Sequence, residues 1–234
     1  MDRQAPDVFE PARAYTPRPW PKTWTAEGVV EVLEPLLFEQ RIQRIHEVLD
    51  RRLTSVTVLM DAPHDPHNGA AILRSCDAFG VQEVHVVPRE EAFLASNTVS
   101  KGSERWVDVV KHDSPSAAVA QLRASGFELI ATHPEGELSP EDLPSIPRLA
   151  LLMGNEHDGL CEELAQSAGR RVRIPMIGFV ESLNVSVSAA VLLRAATLGR
   201  PGDLRDEAYQ AVYAQALFRS VKRAGDVLAA SRPL

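Results

Sequence analysis

The chain has 234 residues, 44% hydrophobic and 24% charged, with a formal net charge of −7. That balance is ordinary for a globular protein with one substantial domain, and no apolar run approaches the length of a membrane span. The acidic excess argues against a nucleic-acid partner as a whole-molecule quantity, although local basic patches can oppose it.

Residues 1–24 carry Pro6, Pro11, Pro17, Pro19 and Pro21 and little periodicity, which predicts a flexible or surface-draped arm. They show no basic head followed by an apolar core, so no secretory signal is expected. The only cysteines, Cys76 and Cys161, form neither a disulfide framework nor a zinc site. They are expected to be buried and unreactive, in a reducing cytoplasm. From Thr25 to Arg52 the apolar positions Val29, Leu33, Leu36, Ile42, Ile45 and Val48 recur at helical spacing. One or two accessory helices are expected there.

The core then alternates between strands and helices. Val56 to Met60 reads as a strand, and a helix from about Asn68 to Phe79 stops at Gly80. Val84 to Val87 is a second strand. A helix from Ser116 to Gly126 precedes a strand from Phe127 to Ala131. Leu149 to Met153 is another strand, followed by a helix from Cys161 to Ala168 and a short strand, Val172 to Ile174, closed by Pro175. The last core helix runs from Asn184 to about Leu198. Beyond Pro201-Gly202, one helix is expected from Leu204 to Leu228. This alternation predicts an α/β fold with a mainly parallel sheet flanked by helices. Three regions follow: 1–52, an arm with accessory helices; 53–200, the core; and 201–234, a helical extension.

Sites in such folds lie where strands end in loops, and three of these loops are unusual. The first, Asp61 to Gly69, leads into a helix with Asn68 at the expected N-cap. Arg74 follows among Ile72, Leu73, Cys76 and Phe79, where it needs an anionic partner or an opening to solvent. The second is Met153-Gly154-Asn155-Glu156, in which Gly154 permits close approach of backbone to a ligand. The third, Ile174 to Asn184, is markedly apolar for a connection and leads into a helix of small residues. Loops with the apolar character of this one are wrapped around something or covered by something.

Common alternatives do not fit. There is no Gly-x-Gly-x-x-Gly after the first strand and no phosphate-binding Gly-Lys-Ser/Thr loop. His64, Asp65 and His67 do not have the spacing of a helical zinc pair, so no metal is expected.

Taken in order, the loops resemble the SpoU/TrmH family of the SPOUT methyltransferases. The resemblance rests on His67-Asn68 through Arg74-Ser75-Cys76-Asp77-Ala78-Phe79-Gly80, Gly154-Asn155-Glu156-x-x-Gly159-Leu160, and Ile174-Pro175-Met176 through Ser182-Leu183-Asn184-Val185-Ser186. Ser100-Lys101-Gly102-Ser103-Glu104-Arg105-Trp106-Val107 resembles a further family segment. Each motif alone is weak, and the ordered set spans about Arg41 to Leu198. It implies an α/β knot fold with a C-terminal deep trefoil knot, in which the third loop is threaded and covered. It also implies S-adenosylmethionine as methyl donor, an RNA ribose 2'-oxygen as acceptor, and a homodimer. By similarity, Thr132, Gly154, Ile174 and Leu183 line the donor pocket, while Asn68, Arg74, Glu156, Ser182 and Asn184 form the catalytic set. Arg41, Arg44, Arg51 and Arg52 are the expected RNA contacts, helped by Arg219, Lys222 and Arg223. The accessory helices resemble those of family members acting on guanosine 18 of tRNA. Ribosomal RNA, another tRNA position, or a non-catalytic RNA-binding role are the alternatives.

Overall fold

A computed structural model of the chain describes residues 19–63, 65–88, 105–155 and 158–231. Its centre is a six-stranded sheet in which every paired neighbour is parallel. The strands are β1 (Val56–Asp61), β2 (Glu83–Val87), β3 (Asp108–Lys111), β4 (Glu128–Thr132), β5 (Leu149–Met153) and β6 (Arg170–Val172), arranged β3-β2-β1-β5-β4-β6. β1 and β5 are buried along their whole length, as strands covered on both faces are; β5 is an unbroken apolar run, and β1 is apolar except for Thr57, whose hydroxyl donates to the Glu83 carbonyl, and the terminal Asp61. The sequence order reverses between them. The crevice beyond their carboxyl ends is therefore where an open parallel sheet holds a ligand. β3 was not anticipated: of its residues only Val110 is fully buried, so it carries no apolar run to read.

Helices cover both faces. On one face lie α3 (Pro66–Ala78) and α6 (Val185–Ala196), whose Ile72, Leu73, Cys76, Leu192 and Leu193 pack on Val58, Met60 and Leu151. The small Ala189 and Ala196 are fully buried, which lets α6 sit close. On the other face are α4 (Pro115–Ala124) and α5 (Glu162–Ser167), whose Leu122 and Leu164 pack on Leu59 and Leu152. Each such buried leucine contributes roughly 2 kcal/mol. α3 ends where expected: Gly80 has φ +82, and a Cβ there would lie 2.9 Å from the Arg51 carbonyl oxygen. Below α6, Arg200 donates to the carbonyls of Ala196 (2.6 Å), Pro147 (2.8 Å), Leu143 (3.2 Å) and Ile146.

The flanking segments do not form two separate appendages. α1 (Ala26–Leu33) and α2 (Glu39–Leu49) share one apolar cluster with α7 (Asp206–Ser220) and α8 (Ala224–Ala230), through Val29, Leu33, Ile45, Tyr213, Leu217 and Leu228. The single terminal helix expected from the sequence is broken: Val221 is extended (ψ 127) and Arg223 left-handed (φ 59), which returns Ala224 and Leu228 to the cluster. Trp20 and Trp24 are buried in it as well, so this end of the expected arm is anchored rather than draped. Asp203 fastens the layer to the sheet by accepting the Thr54 and Ser55 amides.

Beneath α4, a histidine pair sits between β2 and the end of β3. His85 Nδ1 lies 2.8 Å from His112 Nε2, the rings are stacked, and His85 Nε2 is 3.0 Å from a Glu83 carboxylate oxygen. Burial, then the neighbouring His85, pushes His112 down to about 4.

Candidate active site

The first loop is shaped by two aspartates. Asp65, not Asn68, caps α3: its carboxylate accepts the His67 amide at 2.8 Å, and Pro66 occupies the first helical position. Both residue types cap well, and the proline, which prefers the first helical position, decides the register. Asn68 consequently lies inside the first turn, where its side-chain oxygen accepts from Asn184 Nδ2 at 3.1 Å. Arg74 is exposed, and among the described residues no carboxylate pairs with it. An opening to solvent, rather than an internal anion, accommodates this arginine.

The second loop is pinched at its neck. Asn155 and Gly159 exchange backbone hydrogen bonds at 3.0 and 3.2 Å, and the Asn155 side chain accepts the Asp158 amide at 2.8 Å. A Cβ on Gly154 would meet the Gly159 carbonyl carbon at 2.2 Å, so only glycine allows the chain to close this tightly. On the far side, the Cys161 amide donates to Asp61 Oδ2 at 2.6 Å. Glu156 lies outside the described residues, as do Ser100 to Glu104 of the fourth motif. Cys161 is half-buried rather than buried as expected; burial raises the pKa of its thiol, as it does that of the fully buried Cys76.

The third loop is the main departure. No part of the described chain covers it: Ile177 and Phe179 are fully exposed and Val180 is 60% exposed. The apolar character continues onto α6 through Val187 and Val191. The expectation of a covered loop is therefore not met within a single chain, because no other described segment packs over it. Asn184 caps α6, accepting from the Ser186 amide (2.8 Å) and hydroxyl (2.6 Å) while donating to Asn68. Ser182 is exposed and makes no hydrogen bond to that pair.

The residues expected to line a donor pocket sit at neighbouring strand ends. Thr132 closes β4 and donates its hydroxyl to the Leu152 carbonyl at 3.1 Å. Gly154 follows β5, and Ile174, half-buried against the core, lies two residues beyond β6. Leu183 is half-buried beside the α6 cap. A narrow cleft of about 10 Å³ lies between Asp61, Asn68, Gly69, Gly154 and Val185. The sequence does not single out Asp61; its one signal is an acid ending a mostly apolar strand.

The arginines divide. Arg41, Arg44 and Arg51 are exposed; Arg41 lies 5.6 Å over the Trp106 ring and Arg44 pairs with Glu47. Arg52 is different. It is 3% exposed, its guanidinium pairs with Asp77 at 2.5 Å, and it donates to the Val81 carbonyl at 3.2 Å. It joins the accessory layer to α3 and is not available to RNA.

Comparison with known proteins places this architecture. Residues 55–194 match the SpoU rRNA Methylase family. The tRNA (guanosine(18)-2'-O)-methyltransferase of Thermus thermophilus is 40% identical over 185 residues, covering 75% of this chain and 95% of that protein. The enzyme of the same name from Escherichia coli K12 is 39% identical over 154 residues, covering 65% and 67%. Among solved structures, the Aquifex aeolicus TrmH/SpoU tRNA modifying enzyme superposes with a TM-score of 0.67 at 29% identity, covering 79% of this chain and 98% of that one. The Streptomyces viridochromogenes SpoU methyltransferase AviRb, in complex with the cofactor AdoMet, superposes with a TM-score of 0.55 at 30% identity, covering 64% and 60%. Fold and site together define a methyltransferase of the α/β class that uses S-adenosylmethionine. Within that class, the chain belongs to the SpoU methylase family.

Proposed function

We propose that the protein transfers a methyl group from S-adenosylmethionine to the ribose 2'-oxygen of guanosine 18 in tRNA, acting as a cytoplasmic homodimer with a trefoil knot at the carboxyl edge of the sheet. The observation that carries the reading is the joining of the first and third motifs through Asn68 and Asn184, beside the Gly154 neck of the second. The relatives named for this reaction support the choice of substrate.

The donor set suits the cofactor. Gly154 brings backbone to the edge of the cleft, and the half-buried Ile174 and Leu183, outside its lining, are the apolar residues that this reading sets against the purine. S-adenosylmethionine bound there supplies a methyl group on a positively charged sulfur. The protein must then position the 2'-oxygen and assist loss of its proton. Arg74 is exposed on α3, and a guanidinium is a donor with no acceptor site, so this reading does not use it as a base. In this reading its planar fork binds the phosphate beside the target ribose and stabilises the developing alkoxide, and the proton passes to a phosphate oxygen or water. Glu156 orients Arg74 or Asn68, while Asn184 holds the third loop against the first. Ser182 faces the RNA. Arg41, Arg44 and Arg51 recruit the RNA, with Arg219, Lys222 and Arg223.

A second copy covers the exposed third loop. Ile177, Phe179, Val180, Val187 and Val191 form an apolar surface beside the catalytic residues, of the kind that marks an association site.

Incubation with methyl-labelled S-adenosylmethionine and an unmodified tRNA transcript, followed by mapping of the modified nucleotide, tests the assignment. Label at guanosine 18 supports it. Label only on ribosomal RNA or at another tRNA position replaces the substrate, and no transfer to any RNA overturns the reading.

A further inference from the structure

Asp61 is the last residue of β1, 4% exposed, and borders the same cleft as Asn68, Gly154 and Val185. Burying a carboxylate is costly unless it is well partnered, and an apolar residue would end the strand at lower cost. The partner is specific: Oδ2 accepts the Cys161 amide at 2.6 Å. Cys161 is where the second loop enters α5. The loop thus has two anchors, the self-closed neck at Gly154 and Asn155 and this hydrogen bond to the neighbouring strand end. Past Asp61 the chain turns sharply. Ala62 has φ 43, a left-handed conformation uncommon for a residue with a side chain, and its amide donates to the Val87 carbonyl at 2.8 Å. Four residues after Asp61, Asp65 caps α3. Asp61 therefore belongs to the first motif by the chain and to the second by its hydrogen bond.

We infer that Asp61 is a positioning residue for the methyl-donor site, fixing the Gly159 to Cys161 side of the second loop through the Cys161 amide. The inference rests on the reading that this loop holds S-adenosylmethionine. A hydrogen bond to a carboxylate in a buried position is strong, so its loss lets the far end of the loop move while the neck stays closed. The site is then reordered each time the donor binds, and donor affinity falls.

The test is a double-mutant cycle in the full-length protein, reading donor affinity by calorimetry alongside thermal stability. Asp61→Ala should weaken S-adenosylmethionine binding about tenfold, and Asp61→Asn, which keeps a carbonyl acceptor, by no more than about threefold. Cys161→Pro removes the donor at a residue whose φ of −61 already suits proline. It should reproduce the Asp61→Ala loss, and the double substitution should weaken binding no further. Leu122→Ala, on the buried face of α4, should lower the melting temperature and leave donor affinity unchanged. If Asp61→Ala does not fold, the Cys161→Pro and Asp61→Asn comparison carries the test alone. Wild-type affinity in Asp61→Ala or in Cys161→Pro, or losses that add in the double variant, would overturn the inference. Wild-type protein that binds no S-adenosylmethionine overturns the functional reading on which it rests, a different result from intact binding that the substitutions leave untouched.

Discussion

Asn184 Nδ2 donates to Asn68 Oδ1 at 3.1 Å across 116 positions of sequence, and the same Asn184 caps α6 through its other side-chain atom. One side chain therefore sets the start of a helix and ties it to the first turn of another. The two roles separate by substitution. Asn184→Ser keeps a capping oxygen and loses the donor, so stability should fall by no more than about 1 kcal/mol while methyl transfer falls roughly tenfold or more. Asn68→Ala should give a similar loss of transfer, and the pair should be non-additive in kcat/KM. Additive losses would show that the hydrogen bond does not couple the motifs.

Arg74→Lys keeps the positive charge and loses the planar fork. Since Arg74 is exposed, the melting temperature should change little. The rate under saturating donor and RNA should drop roughly a hundredfold, in line with loss of a group that stabilises developing charge. Near-full activity in the lysine variant would remove Arg74 from the chemistry.

Arg52 and Arg44 should part company. Arg52→Ala leaves Asp77 without its partner and should cost about 3 kcal/mol in urea unfolding, with the salt dependence of RNA binding unchanged. Arg44→Ala, at an exposed pair, should leave stability within about 0.5 kcal/mol and make RNA binding less sensitive to salt.

The histidine pair predicts an acid-sensitive edge to the sheet. The folded value of His112, about 4, lies below its ordinary 6.5, so the unfolded chain takes up the proton first. The stabilisation is complete above about pH 6.5 and is lost as the pH falls toward 4, up to about 3 kcal/mol in all. The groups facing His112 are His85, beside Glu83, and Asp113. Urea midpoints at pH 7 and pH 5 should differ in the wild type and converge in His112→Gln; an equal difference in that variant would assign the sensitivity elsewhere.

Phe179→Asp, on the exposed loop, should leave the fold intact and yield a monomer in analytical ultracentrifugation, with methyl transfer largely lost. A dimeric, active variant would place the subunit contact elsewhere.

Much of this molecule was legible in its residues, for physical reasons that can be named. β1 and β5 announce themselves because strands buried on both faces are mostly apolar, β5 throughout and β1 apart from Thr57 and Asp61. β3 is an edge strand with one fully buried residue, and its pairing to β2 is a tertiary fact with no local trace. Pro66 decides the cap of α3 in favour of Asp65, against an equally suitable Asn68. Arg52 reads like its exposed neighbours because nothing in the sequence reveals that Asp77, 25 positions on, faces it. The apolar third loop was correctly singled out as unusual. The covering expected of it is not found, since no described segment packs over Ile177 or Phe179.

Arg200 gives α6 a mechanical character. Its guanidinium grips carbonyls of Leu143, Ile146 and Pro147 and so welds the carboxyl end of the helix to the base of the sheet, while the amino end is held by the Asn184 cap, its bond to Asn68 and the packing of Val185, next to an uncovered loop. Backbone amides near Ala196 should exchange with solvent far more slowly than those near Val185.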